Sequence, residues 1–232
     1  MSSELTRDAG MKAVFPALDG FRPSVTTGLD AKRLCDIALG ILLLIAAPVM
    51  VLVSLAVVLD SKGPVLFCQK RTGRNGKTFP IFKFRSMHVV EQGADVRQAV
   101  AGDARITRVG RVIRKLSLDQ LPQLFNVIAG QMSLVGPRPH AIVHDEYYSA
   151  AIPTYVLRQQ VKPGITGWAQ VNGSRGPTPS IDSMRERVAL DAWYVANHSV
   201  ALDLKILART PAAVLSTLQM QTWLCKRRMR RR

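Results

Sequence analysis

Residues 37–59 carry no charged side chain, although Asp36 and Asp60 bracket them and the rest of the chain is rich in charge. As a helix at about 1.5 Å per residue this run reaches roughly 34 Å, enough for the hydrocarbon core of a bilayer. Leu42, Leu43, Leu44 and Ile45 leave it no polar face, and a chain of 232 residues seldom encloses so long a helix on every side, so lipid is favoured over a protein core. A secretory signal fits poorly, because a polar leader precedes the run and no small-residue cleavage site follows it. Pro48 lies near the middle, lacks an N–H and clashes with the preceding turn, so a kink or break is expected there. Lys32 and Arg33 stand before the run, and Lys62, Lys70, Arg71, Arg74 and Lys77 stand after it. A single crossing puts one basic flank outside, against the cytoplasmic preference of Lys and Arg, whereas a re-entrant hairpin keeps both inside.

Both flanks belong to a wider excess of positive charge. Thirty-two Lys and Arg against sixteen Asp and Glu leave a net charge of +16, which points to an anionic partner such as nucleic acid, acidic lipid or a phosphorylated substrate. Hydrophobic residues still make up 47%, which excludes general disorder. Cys35, Cys68 and Cys225 have neither C-x-x-C spacing nor a nearby His, so a zinc site is not indicated and a reducing compartment is. Near the C-terminus an apolar stretch containing Leu215, Leu218, Met220, Trp223 and Leu224 runs into Lys226, Arg227, Arg228, Arg230, Arg231 and Arg232. Such a tail reads either as an attachment to anionic lipid or as a solvated end.

The pattern divides the chain into a mobile leader (1–32), a membrane helix (33–60), a folded domain (61–212) and an amphipathic basic tail (213–232). Residues 65–67 read as a short strand, Asn75-Gly76 as a tight hairpin turn, and residues 78–86 as the returning strand. On that strand Phe82 and Phe84 share one face while Lys83 and Arg85 share the other, giving an apolar and a cationic surface. From 105 to 116, Ile106, Val109, Ile113 and Leu116 recur at helical spacing beside Arg105, Arg108, Arg111 and Arg114. This amphipathic basic helix either presents a solvated face or lies on a membrane surface.

Ser117 followed by Gln120 is a capping box expected to open a second helix, with Pro122 in its first turn and Gly130 as its stop. Asp119 then lies at a helix N-terminus, where a carboxylate stabilises the helix start whatever else it does. Arg138 stands between Pro137 and Pro139, and a guanidinium restricted in this way suits bidentate phosphate binding. Residues 162–165 match a type II turn around Gly164, and Asn172-Gly173 offers another turn. Asp191 falls in a helical stretch over 185–193, either as an exposed carboxylate or as a metal or base ligand.

Taken together, Gln69-Lys70-Arg71-Thr72-Gly73, Phe82-Lys83-Phe84-Arg85-Ser86-Met87, Ser117 to Gln123, Met132 to Pro139 and Lys162 to Gly173 resemble the bacterial sugar transferases. These are also called monotopic phosphoglycosyl transferases or polyprenyl-phosphate sugar-phosphate transferases, and the likeness is to their small single-domain members that initiate exopolysaccharides. The resemblance implies an α+β, mostly helical monotopic membrane protein. It would have a re-entrant, proline-broken membrane helix, a small β-hairpin and amphipathic interfacial helices, with its catalytic domain on the cytoplasmic face of the inner membrane. It implies transfer of a sugar 1-phosphate from a UDP-sugar to a polyprenyl phosphate such as undecaprenyl phosphate, with release of UMP through a covalent aspartyl intermediate and with Mg²⁺ assistance.

By the same likeness Asp119 is the nucleophile. Lys83, Arg114 and Arg138 surround the diphosphate, Lys70, Arg71 and Arg85 are further substrate-binding candidates, and Asp191 is an additional catalytic or metal-related carboxylate. A carboxylate can form an acyl phosphate and so divide one difficult transfer into two steps. One residue departs from the family pattern. Gln120 stands where a Glu usually ligates the metal, and a carboxamide offers Mg²⁺ one neutral carbonyl without charge. Three outcomes stay open: weaker Mg²⁺ binding through Gln120, compensation by another carboxylate such as Asp191, or a less active protein.

A competing reading is a non-catalytic, membrane-anchored basic protein that binds nucleic acid or acidic lipid. Its nucleic-acid form is opposed by an aromatic content of 6% and by the absence of any nucleic-acid-binding motif, so no nucleic-acid partner is expected.

Overall fold

The uncharged run folds as two helices, not one. A computed structural model describes residues 28–45, 47–88 and 103–229, and in it α1 (Gly28–Leu44) gives way to α2 (Ala47–Asp60). Pro48 falls in the first turn of α2, where its missing N–H deprives the helix of nothing, and the interruption lies just before it. Among the described residues no helix is long and apolar enough to cross a membrane. The leader lies outside the described residues as far as residue 27, and the chain is already helical from Gly28, inside the segment read as leader.

Each half of the broken run is fastened to the rest of the protein, α1 by polar groups and α2 by apolar packing. Asp36 of α1 is buried and accepts hydrogen bonds from Ser133 Oγ (2.8 Å) and the Leu134 amide (3.3 Å). Arg33 donates to the carbonyls of Val127 and Ile128, the last turn of α4 (Gln123–Ile128). On α2, Val53 and Val57 pack with Phe84 and Ile113 in a small apolar cluster. Full burial of such side chains stabilises by roughly 1.5–3 kcal/mol each. The outward faces remain apolar and uncovered: Ile41, Leu43, Ile45, Val51, Leu52, Leu55, Val58 and Leu59 are all exposed.

The hairpin forms as its turn sequence requires. β1 (Leu66–Thr72) pairs antiparallel with β2 (Thr78–Phe84), and Asn75 (φ 55°) and Gly76 (φ 74°) take the left-handed conformations of the turn between them. The two-surface reading of β2 needs correction. Phe79 and Ile81 enter the main core on the face that Lys83 continues, while Phe84 packs against α2 on the other, so both faces carry buried apolar residues.

Beyond the hairpin, α3 (Arg108–Lys115) starts later than its spacing suggests. Thr107 caps it by accepting from the Gly110 amide, and Ile106 bridges to Met87 instead of joining the helix. Asp60, the last residue of α2, accepts from the Val109 amide and fixes α3 to α2. β3 (Ser133–Val135) and β4 (Gly164–Thr166) form a parallel pair. This overturns the type II turn at 162–165. Gly164 lacks a positive φ and lies against Gly136, whose amide nitrogen would stand 2.1 Å from any added Cβ.

The principal core lies between this pair, the hairpin and the later helices, and includes Leu124, Val127, Met132, Leu134, Tyr194 and Ile206. A second cluster joins α5 (Ile142–Ala151), the 3-10 segment Pro153–Gln160 and α7 (Ile181–Asn197) through Tyr148, Tyr155, Met184 and Val188. The short α6 (Trp168–Val171) precedes the Gly173 turn (φ 92°). The last helix, α8, covers Val200–Met229, and the tail side chains from Lys226 onward lie outside the described residues.

Candidate active site

Asp119 sits on a single 3-10 turn, Leu118–Gln120, between α3 and α4. The expected capping box does not form. Ser117 is left-handed (φ 59°) and makes no cap, because its hydroxyl accepts a hydrogen bond from Arg175, while the Gln120 carboxamide faces Arg138. The helix proper begins only at Gln123 and stops before Gly130 (φ 79°). Asp119 is thereby presented on a turn, free of the capping duty that the local pattern allowed it.

Its surroundings are cationic. Lys83 reaches it from β2, Arg114 from the last turn of α3, Arg138 from the loop after β3, and Arg175 from the loop after α6; each of them pulls electrostatically on, or is pulled by, the Asp119 carboxylate. Asp119 Oδ1 is enclosed and has no hydrogen-bond partner among the described residues. Arg114 Nη1 donates to Ser86 Oγ at 3.3 Å. Arg138 Nη1 donates to Gln120 Oε1 at 2.8 Å.

Lys83, Asp119 and Arg138 all touch solvent, yet they are surrounded by enough protein to perturb their titration. Burial pushes the Lys83 ammonium well below its usual range; Arg71, Arg138 and Arg114 reinforce this and Asp119 opposes it. Burial raises the Asp119 carboxyl against the pull of Lys83, Arg138 and Arg114. Among the described residues, one carboxylate beside a surplus of half-buried cations is electrostatically incomplete, and a phosphate-bearing anion relieves it.

Behind Arg138 runs a buried polar chain. Arg158 Nη2 donates to the Arg138 carbonyl at 2.7 Å, and its Nε donates to Asp191 Oδ2 at 2.8 Å. Arg158 also lies 4.9 Å from the Tyr155 ring centroid. Tyr155 donates to Asp145 Oδ1 at 2.6 Å, and its hydroxyl also lies 2.6 Å from His140 Nδ1. Burial, with Arg158 as its strongest charged neighbour, holds the His140 imidazole neutral, well below the usual histidine range.

The structure thus gathers Lys83, Arg114, Asp119, Gln120 and Arg138 in one place and separates the other candidates. Arg71 is half-buried, and burial, reinforced by the charge of Arg138, lowers its pKa to about 10. Lys70 is exposed on β1. Asp191 is buried on α7 and engaged by Arg158, one residue removed from Asp119's surroundings. Arg85 is placed differently from its reading as a substrate ligand. It is buried and donates to the carbonyls of Val57, in the last turn of α2, and of Ser61 and Lys62 just past it, fixing the chain where it leaves the helix. Arg158 and Arg175 escaped the sequence reading. Arg158 lies in a segment without any motif, and Arg175 follows an Asn-Gly turn that signals only a loop.

The donor set does not fit a divalent cation. Among the described residues no three His, Cys, Asp or Glu side chains come together, Gln120 Oε1 is taken by Arg138, and Asp191 Oδ2 by Arg158.

A carboxylate without a hydrogen bond on Oδ1, ringed by Lys and Arg beside a Gly-Pro-Arg-Pro loop, agrees with the sequence pattern over nearly the whole chain: residues 28–217 match the bacterial sugar transferase family. The chain belongs to that family. It is 50% identical over 195 residues to the UDP-glucose:undecaprenyl-phosphate glucose-1-phosphate transferase of Caulobacter vibrioides, covering 84% of this chain and 73% of that protein. A protein of the same description from Escherichia coli K12 is also 50% identical, over 180 residues, which are 77% of this chain but 39% of the relative. The exopolysaccharide production protein PSS of Rhizobium leguminosarum bv. phaseoli is 43% identical over 193 residues and is covered to 96% of its length. The chain therefore spans about two fifths of some relatives and nearly all of others.

Proposed function

We propose that this chain transfers a hexose 1-phosphate, glucose 1-phosphate by the names of its relatives, from a UDP-sugar to undecaprenyl phosphate, as a first membrane step of exopolysaccharide assembly. The observation that carries the reading is the Asp119 carboxylate, lacking a hydrogen bond on Oδ1 and ringed by Lys83, Arg114, Arg138 and Arg175. A carboxylate oxygen attacks the sugar-linked phosphorus, the bond from that phosphorus to the bridging oxygen breaks, and UMP leaves with the electron pair. An oxygen of undecaprenyl phosphate then attacks the same phosphorus and expels the Asp119 carboxylate, regenerating it and forming the sugar-diphosphate lipid. The cations compensate charge that builds on the phosphoryl oxygens in both steps. Arg138, with its planar fork, suits two oxygens of one phosphoryl group at once.

The acceptor's long apolar chain partitions into an apolar phase, a bilayer in the cell or a detergent micelle in the test tube, and the reaction occurs at its surface. The uncovered leucines, isoleucines and valines of α1 and α2 support seating of these helices in lipid as a re-entrant pair, with the catalytic domain on the cytoplasmic face of the inner membrane. The basic C-terminal residues add attraction to anionic headgroups.

Purified protein in detergent, given UDP-glucose and undecaprenyl phosphate, is expected to release UMP in step with lipid product, and Asp119→Asn to abolish both. Undiminished turnover in that variant would remove Asp119 from the chemistry.

A further inference from the structure

Hard divalent cations bind where several anionic or carbonyl oxygens converge. Around Asp119 the arrangement is the reverse. One carboxylate meets Lys83, Arg114, Arg138 and Arg175. The Gln120 oxygen beside it already accepts from Arg138 Nη1 at 2.8 Å. Asp191, the carboxylate available to compensate, is 2% exposed and paired with Arg158.

Arg138 is held from several sides. Gln120 orients its guanidinium, Arg158 Nη2 holds its carbonyl at 2.7 Å, and Pro137 and Pro139 restrict the backbone around it. A carboxamide at position 120 aims the guanidinium without cancelling its charge, whereas a carboxylate there pairs with it and leaves less positive charge for a phosphate.

We infer that Gln120 is a positioning residue for Arg138 and not a metal ligand, and that the Arg138 guanidinium is the resident cation of the diphosphate site in this chain. This rests on the reading that a nucleoside diphosphate binds beside Asp119. Its consequence is that the nucleotide binds to the protein without a divalent cation.

UDP titrated calorimetrically into the purified full-length protein in EDTA tests this, alongside Gln120→Glu, Arg138→Lys and Mn²⁺ binding followed by electron paramagnetic resonance on nucleotide-free protein. The wild type is expected to bind UDP in EDTA and to show no Mn²⁺ signal that Asp119→Asn removes. The nearly isosteric Gln120→Glu is expected to bind metal-free UDP roughly tenfold more weakly, and Arg138→Lys, which keeps the charge but loses the fork, to weaken it similarly. UDP binding by the wild type that vanishes in EDTA and returns with Mn²⁺ overturns the inference. So does Mn²⁺ bound to nucleotide-free protein and lost in Asp119→Asn, or metal-free affinity unchanged in both Gln120→Glu and Arg138→Lys. UDP that binds under no condition, Mn²⁺ included, overturns the diphosphate reading as well, which separates the two failures.

Discussion

Asp191→Asn removes the anionic partner of a guanidinium that is itself 6% exposed. Arg158 keeps its bond to the Arg138 carbonyl and its contact with Tyr155, but the acceptor of the 2.8 Å bond loses its charge, leaving the guanidinium without a counter-ion there. Stranding one member of a buried ion pair costs about 3–5 kcal/mol. For a domain of this size, where 1 kcal/mol moves the midpoint by about 2–4 °C, the melting temperature is expected to fall by about 10 °C or more. Thermal unfolding in one detergent of wild type, Asp191→Asn, Arg158→Met and the double variant gives the coupling directly. The double variant buries no unpaired charge and is expected to recover much of the lost stability, since replacing a buried pair by apolar groups is often close to neutral. Its transfer activity is expected to stay depressed, because nothing then holds the Arg138 carbonyl. Additive destabilisation in the double variant, or full activity with the pair gone, refutes the view that the pair acts through Arg138.

Arg85→Met leaves the end of α2 without its donor and is expected to lower stability by about 3 kcal/mol or more, given the worth of hydrogen bonds to charged groups; below the melting transition it should leave the affinity for UDP unchanged, and a weakened affinity would restore Arg85 to the site. His140 has a folded pKa below its ordinary 6.5, so between the two values the unfolded chain binds the extra proton and stability falls as the pH drops through that window. Compared with His140→Gln, the wild type is therefore expected to lose up to about 1.4 kcal/mol more per pH unit on acidification below 6.5, measured by denaturant unfolding across that range; parallel curves would show that His140 titrates normally.

Elements governed by neighbouring residues were legible in the sequence. The Asn75-Gly76 hairpin, the interruption beside Pro48 and the stop at Gly130 each depend on one or two residues whose backbone preferences decide the conformation. Where a distant partner decides, local pattern misled. Ser117 and Gln120 have the spacing of a capping box, but Arg175 and Arg138 claim their side chains from 58 and 18 residues away. Gly164 follows a proline as in a type II turn, but strand pairing with Ser133 and close approach to Gly136 flatten it into β4.

Lys83 on β2 and Arg85 just past its end are near neighbours, and only the position of α2 distinguishes a helix-end donor from a site cation. The site's cationic half was visible as family motifs at Lys83, Arg114 and Arg138. Arg175 and the Arg158 buttress carry no sequence signature, because their roles arise from loops brought together by the fold.

The most direct measurement is the mass of the Asp119 peptide after the protein is mixed with UDP-glucose, without lipid acceptor, and quenched in acid. The expected result is a hexose-phosphate adduct on Asp119, formed with release of UMP and discharged when undecaprenyl phosphate is added. Lipid product accumulating while that peptide remains unmodified would contradict the two-step mechanism.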